Sequence, residues 1–208
     1  MSASAKPIII AADYLTLERA AATKSEFCEG EIFAMRGTSI NHARIVMNFA
    51  GELSSLLKGR KCEPFANNLR VKVEASGLYT YPDLLVVCDD AQFEDAHLDT
   101  LLNPTLIIEV LSDSTEQYDR VKKFDFYRAL PSLQEYVLVS QAAPRVEQFL
   151  RTPEAEWIYR VATDPAASVQ FPSIDCQIAI SEIYDRVEFP PDLTAPPESR
   201  ERAARYRP

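Results

Sequence analysis

The feature that most limits how this chain can fold is a pair of short, nearly continuous apolar runs. Residues 83–88 read DLLVVC and residues 105–111 read TLIIEVL. Runs of this length, rich in β-branched residues, have the pattern of central strands covered on both faces. Two such strands need layers above and below, and the rest of the chain offers them. A short amphipathic helix is predicted over 13–22 with Asp13 as its N-cap, then a hairpin over 25–36 turning near Gly30. A longer helix is predicted from Asn41 to Lys58, with Asn41 as its cap and Ile45, Phe49, Leu53, Leu56 and Leu57 at helical spacing. Strand-like segments follow at 61–66 and 68–74. The acidic stretch 89–104 reads as loop or a short helix. A second amphipathic helix is predicted over 115–129, a strand over 135–140, a hairpin from 145–150 and 156–162, and a last helical turn over 181–185. The expected fold class is α/β (α+β), with helices flanking one sheet. Residues 1–12 read as an extension, 13–186 as the domain, and the proline-rich, charged segment 187–208 as an extended or disordered tail.

Composition narrows the chemistry. The four cysteines, Cys28, Cys62, Cys88 and Cys176, form no CxxC pair, so free buried thiols are expected rather than a zinc site or a disulfide framework. With only two histidines, His42 and His97, a resident metal would be held by oxygen, which favours magnesium, manganese or calcium. The net charge of −9 argues against a protein that coats nucleic acid non-specifically. No apolar run approaches membrane-span length and no secretory signal is apparent, so a cytoplasmic location is expected.

Glu109 interrupts its apolar run and shares a strand face with Ile107 and Leu111. A lone carboxylate there is costly unless paired, hydrogen-bonded or metal-bound. The plainer alternative is an exposed strand end paired to an arginine. Asp83, after Pro82, heads the other run. Alone it reads as a turn residue; together with Glu109 it offers two carboxylates to one hard cation. On the following helix Asp119, Lys123 and Tyr127 recur every four residues. The bland reading is a surface pair contributing ~0.2–0.5 kcal/mol; the sharper one turns Lys123 toward the sheet and leaves Lys122 in solvent.

The ordered stretches TYPDLLVV, LIIEVLSDST, DRVKKFDFY and LQEYVLV, with SEFCEGEIFAM and His42 upstream and SIDCQIAISEIYD downstream, resemble the proposed Uma-type restriction endonucleases. That family is placed in the PD-(D/E)XK nuclease superfamily, and the likeness covers roughly residues 13–186. It implies a restriction-endonuclease-like central mixed sheet flanked by helices, with an extra N-terminal and C-terminal hairpin. It places the family's aspartate on Asp83, its acidic strand residue on Glu109 and its lysine on Lys123, since Leu111 fills the superfamily's usual lysine position. The hairpin glutamate falls on Glu26 and the motif histidine on His42, although each also has a structural reading, as a hairpin cap and a helix support. Ser25 and Ser140 stand where the family usually has tyrosine and aspartate.

The resemblance implies hydrolysis of DNA phosphodiesters with Mg2+ (Mn2+ substituting) held by Asp83, Glu109 and the Val110 carbonyl. Lys123 would act on water and the transition state, and Asp119 and Tyr127 would contribute. Two alternatives stay open: a nuclease-fold module that binds DNA or a partner without cutting, and a metal-dependent hydrolase of a smaller phosphate ester. A basic rim from Arg70, Lys72, Arg120 and Lys122 would favour DNA. A homodimer is expected, with Trp157 and Tyr159 as candidate contacts.

Overall fold

The computed structural model describes residues 9–35, 37–112 and 115–189. The tail expected beyond residue 187 lies almost wholly outside them, as do residues 1–8. In chain order the first elements are α1 (Ala11–Ala20), β1 (Ser25–Cys28), β2 (Glu31–Ala34), α2 (Ile40–Leu56), β3 (Glu63–Ala66), β4 (Arg70–Val73), β5 (Leu78–Thr80) and β6 (Leu84–Val87). Then come β7 (Thr100–Leu101), β8 (Leu106–Leu111), a π-helical stretch Tyr118–Lys123 continuing into α3 (Phe124–Tyr127), β9 (Glu135–Ser140), β10 (Val146–Arg151), β11 (Trp157–Ala162), β12 (Ser168–Phe171), β13 (Cys176–Ala179) and α4 (Ile180–Ile183).

The strands do not form the single sheet expected. The described residues make a six-stranded sheet in the order β11-β10-β9-β8-β6-β3, a five-stranded sheet β2-β1-β5-β4-β7, and the hairpin β12-β13. The six-stranded sheet is mixed: β8 runs parallel to β9 and antiparallel to β6. Its two central strands, β6 and β8, are the apolar runs, and all of their residues are buried.

Alternation along these strands sorts side chains to two faces. One face carries Leu84, Val86, Leu106, Ile108, Val137 and Val139, packed under Ile45, Phe49 and Leu53 of α2. The other carries Leu85, Val87, Ile107, Leu111, Tyr136 and Leu138, packed against Val71 and Leu78 of the second sheet and against Tyr127. Glu109 and Asp83 belong, by the same alternation, to this second face.

Three local expectations change. The α2 cap is Ser39, whose hydroxyl accepts the His42 amide at 3.1 Å, and not Asn41. Asn41 instead bonds the backbone of Glu188, beyond the last helix. Helix α1 begins at Ala11, so Asp13 lies inside its first turn and does not cap it; its charge there still suits the helix dipole. The cysteines are not all free: Cys62 and Cys88 form a disulfide, while Cys28 and Cys176 are free and buried. The reason is register. β3 and β6 pair antiparallel with Glu63 opposite Val87, so the next pair outward is Cys62 and Cys88. Their separation of 26 residues hid the pairing in the sequence.

Candidate active site

The site forms where β6 begins beside β8. Leu84 pairs with Ile108, so Asp83, one residue earlier, falls opposite Glu109. The Asp83 amide points at Glu109 Oε2 at 3.4 Å. The Asp83 carboxylate receives the Val110 amide at 2.8 Å and meets His42 Nε2 at 3.1 Å, both on Oδ2. Pro82 explains the local turn: it fixes the backbone just before the strand and lets the aspartate lead it.

Lys123 arrives from the helix packed across this face. Its ammonium lies 3.1 Å from Glu109 Oε1, 3.2 Å from Glu26 Oε1 and 3.4 Å from Asp119 Oδ1. Tyr127 donates its hydroxyl to the same Glu109 oxygen at 2.9 Å. Asp119, Lys123 and Tyr127 are buried, whereas Lys122 is exposed. The helix reaches this geometry through a π-helical turn, a widening that recurs at functional sites. The Tyr136 hydroxyl fastens it from below by donating to the Asp119 carbonyl at 3.0 Å.

Electrostatically the cluster has more acid than base. Burial pushes the Glu109 carboxyl up to about 8; Lys123 opposes that rise, and Asp119, Asp83 and Glu26 add to it. Burial likewise raises Asp119, again against Lys123. Burial also works against the Lys123 charge, but Glu109 and the other acids outweigh it and hold the ammonium firmly protonated.

Every expected contributor lies in this one constellation: Glu26 and His42 as well as the central three, with Asp119 and Tyr127. Val110 meets Asp83 through its amide. Three participants carried no expectation. The Thr80 hydroxyl donates to Glu26. The Tyr118 ring lies under the Lys123 ammonium, 5.8 Å from its centroid. Lys24 stands beside Tyr81. Thr80 lies three residues before Asp83, and a strand ending there would have flagged it. Tyr118 precedes Lys123 by five residues, a spacing that signals contact only if the helix has a π turn.

The expected basic rim is largely absent. Arg70 is buried, donating to Thr100 and the Tyr81 hydroxyl, with Nη2 3.0 Å from Asp99 but poorly aligned for a hydrogen bond. Lys72 is paired with Glu74 and Glu94, and Arg120 with Glu116 and Glu147. Of the four, only Lys122 lacks an ion-pair partner among the described residues.

The donor chemistry fits a hard cation. Among the described residues no group of three or more His, Cys, Asp or Glu side chains has the arrangement of a metal cage. Asp83 and Glu109 are instead a two-carboxylate, all-oxygen pair, the kind of protein contribution magnesium takes when it keeps several waters.

Two facing carboxylates, one of them buried against a lysine, on a mixed sheet flanked by helices, fit the architecture of a restriction-endonuclease-like protein. The chain belongs to the Uma2 family, described as "Putative restriction endonuclease", whose pattern matches residues 11–181. It is 37% identical over 164 residues to the uncharacterized protein sll1609 of Synechocystis sp., covering 79% of this chain and 93% of that one. A second uncharacterized Synechocystis protein, slr1290, is 32% identical over 177 residues, covering 85% and 92%. The fold matches a crystal structure described as a putative nuclease belonging to DUF820 from Anabaena variabilis, with a TM-score of 0.69 at 22% identity, over 85% of this chain and 98% of that chain.

Proposed function

We propose that this protein is a metal-dependent endodeoxyribonuclease that hydrolyses DNA phosphodiesters with Mg2+, for which Mn2+ substitutes. The observation that carries the proposal is the opposition of Asp83 and Glu109 with the Lys123 ammonium 3.1 Å from Glu109. Asp83, Glu109 and the Val110 carbonyl are the ligands we assign. Bound there, the ion would polarise a non-bridging phosphate oxygen and make a nearby water more acidic.

The chain's own groups then divide the work. Lys123 positions the attacking water and stabilises the charge that develops on phosphorus oxygens in the transition state. Asp119 and Glu26 hold the ammonium from two other sides, so its position does not depend on Glu109 alone. Tyr127 orients Glu109 through one oxygen, leaving the second toward Asp83. His42 and the Val110 amide fix Oδ2 of Asp83 and leave Oδ1 for a ligand.

The test is incubation of purified protein with labelled plasmid and single-stranded DNA, with and without Mg2+ or Mn2+. Cleavage that needs the metal and is lost in Asp83→Ala supports the reading; wild type that cuts neither DNA with either metal overturns it. One observation favours a second reading, hydrolysis of a smaller phosphate ester: Arg70, Lys72 and Arg120 are already ion-paired and offer little to a long polyanion. Metal-dependent turnover of bis(p-nitrophenyl) phosphate without DNA cleavage would select it.

We further propose a homodimer, because cutting both strands of a duplex takes two sites. Trp157 is half-buried against Phe124 and Arg151, whereas Tyr159, whose hydroxyl donates to Glu147, stays exposed and keeps its place as a candidate contact. β11 is an edge strand, and Ile158 and Val161 on it are exposed. Light scattering at micromolar concentration decides it. No described helix is long and apolar enough to cross a membrane. We propose a cytoplasmic location, whose reducing poise would open the Cys62–Cys88 disulfide; thiol titration of freshly prepared protein reads its state.

A further inference from the structure

We propose that Lys24 is a phosphate anchor for the nucleic-acid backbone at the mouth of the Asp83–Glu109 site. The inference rests on the nuclease reading above and deepens it by naming the substrate contact that the expected rim does not supply.

The placement comes from the strand order. Lys24 directly precedes β1, and two residues on, Glu26 reaches Lys123. Side chains two apart on a strand share a face, so Lys24 and Glu26 point the same way. The Lys24 ammonium donates to the Asn67 carbonyl at 2.5 Å, and the Asn67 amide donates to the Asp83 carbonyl at 2.8 Å. The ammonium is therefore tied, through one residue, to the backbone of the proposed metal ligand. The Tyr81 ring lies beside it at 5.4 Å, two residues before Asp83.

The charge is also available. Arg70, Lys72 and Arg120 each have a carboxylate partner, as does Arg19, which is held by Asp95 and Asp99. No described carboxylate lies within ion-pair distance of Lys24. An ammonium has three donors, and among the described residues only one is taken. Lys24 is half-buried, and that loss of water lowers its affinity for a proton, with Asp83 and Glu18 opposing from longer range. A partly desolvated, unpaired ammonium beside a phosphodiester-cleaving site gains most from a phosphate oxygen.

The experiment uses full-length protein with a fluorescent duplex in Ca2+, then cleavage in Mg2+. Lys24→Gln removes the charge but keeps a donor for the Asn67 carbonyl; Lys24→Arg restores the charge. For Lys24→Gln we expect affinity about tenfold weaker at low salt, with the log Kd against log salt slope reduced by about one. KM should rise while kcat holds, Lys24→Arg should recover most of the affinity, and Lys58→Ala, remote from the site, should match wild type. A merely structural role would lower thermal stability and leave the salt slope alone. If wild type cuts DNA and Lys24→Gln keeps the same slope and KM, the anchor is wrong and the nuclease reading stands. If wild type neither binds nor cuts DNA, both fall together.

Discussion

Two glutamates on one face of the six-stranded sheet have opposite fates. Glu109 pairs across to Leu138, and Leu138 to Glu147, so both lie in a single row across β8, β9 and β10. Both also meet the same helical stretch, Glu109 through Lys123 and Glu147 through Arg120. Yet Glu109 is pushed up to about 8 and Glu147 down to about 2. The difference lies in the company. Burial also works against the Glu147 charge, but Arg120 grips both its oxygens at 2.8 Å, and Tyr159 and Arg145 add further donors. Glu109 shares one ammonium with Glu26 and Asp119, with Asp83 close by. Glu147 is thus a completed ion pair that clamps the helix to the sheet. The Glu109 cluster has more acids than bases, and a bound cation would favour their ionised forms. That contrast, between residues two strands and so about 9.5–10 Å apart by ordinary strand spacing, separates a structural carboxylate from a candidate ligand.

The largest effects should come from the acid-rich cluster. Lys123→Ala should lower DNA cleavage by about 10²–10³-fold or more, in the range of removing one preorganised charge-stabilising donor. It should leave the Mn2+-induced thermal shift largely intact, because the lysine is no ligand. Asp83→Ala should lose both cleavage and that shift. Lys122→Ala should cut nearly as wild type. Activity that survives Lys123→Ala but disappears in Lys122→Ala would show that the exposed lysine serves the substrate and the buried one only balances charge.

The clamp should respond through stability. Glu147→Gln leaves Arg120 and Arg145 facing a neutral group, and we expect a loss of about 2–3 kcal/mol at pH 7. Its pH dependence has a definite sign. A carboxylate whose folded pKa is depressed contributes stability above its unfolded value, and the contribution drains away as pH falls through the folded one. The gap between wild type and Glu147→Gln should therefore be full above about pH 4.5 and close as pH falls toward about 2. Chemical denaturation at pH 7, 4 and 3 measures it. A gap that widens on acidification would mean that Glu147 is not held ionised, and the contrast with Glu109 would lose its reference.

The contrast was only half legible in the sequence. Glu109 stood out because a charge in an apolar strand is anomalous, and alternation alone puts it beside Ile107; Asp83 alone read as a turn residue and gained weight only beside it. Helical spacing put Lys123 on one face with Asp119 and Tyr127, the family resemblance gave it the site role, and the π turn did not disturb that face because the four-residue recurrence survives on a wider helix. Glu147 lies in a strand, VEQFLR, with no clean alternation of polar and apolar residues, so nothing marked it as buried. Lys72 and Arg120 have exposed local partners in Glu74 and Glu116, but the less exposed partners of Arg70, Lys72 and Arg120, namely Asp99, Glu94 and Glu147, come from 22 to 29 residues away, which no local pattern reveals. The second sheet was missed because β5 and β7 are three and two residues long, too short for any periodicity. The Cys62–Cys88 pairing needed the β3–β6 register, which no local pattern encodes.

The smallest expected effect is also the most discriminating. Glu109→Gln keeps the size and shape of a side chain that is almost fully buried. Its retained carbonyl oxygen can still accept from Lys123 and Tyr127, and Lys123 keeps Glu26 and Asp119 as ionic partners. The new amide group displaces only a long contact, the Asp83 amide at 3.4 Å. Removing one acid from a site with too many relieves repulsion and offsets what is lost. We therefore expect thermal stability in metal-free buffer to change by no more than about 1 kcal/mol, against the larger loss in Glu147→Gln. With Mn2+ added, wild type and Glu147→Gln should both be stabilised, and Glu109→Gln should not. If Glu109→Gln costs as much as Glu147→Gln without metal, the two glutamates are alike, Glu109 is a structural partner of Lys123, and the case for a cation at this row weakens to Asp83 alone.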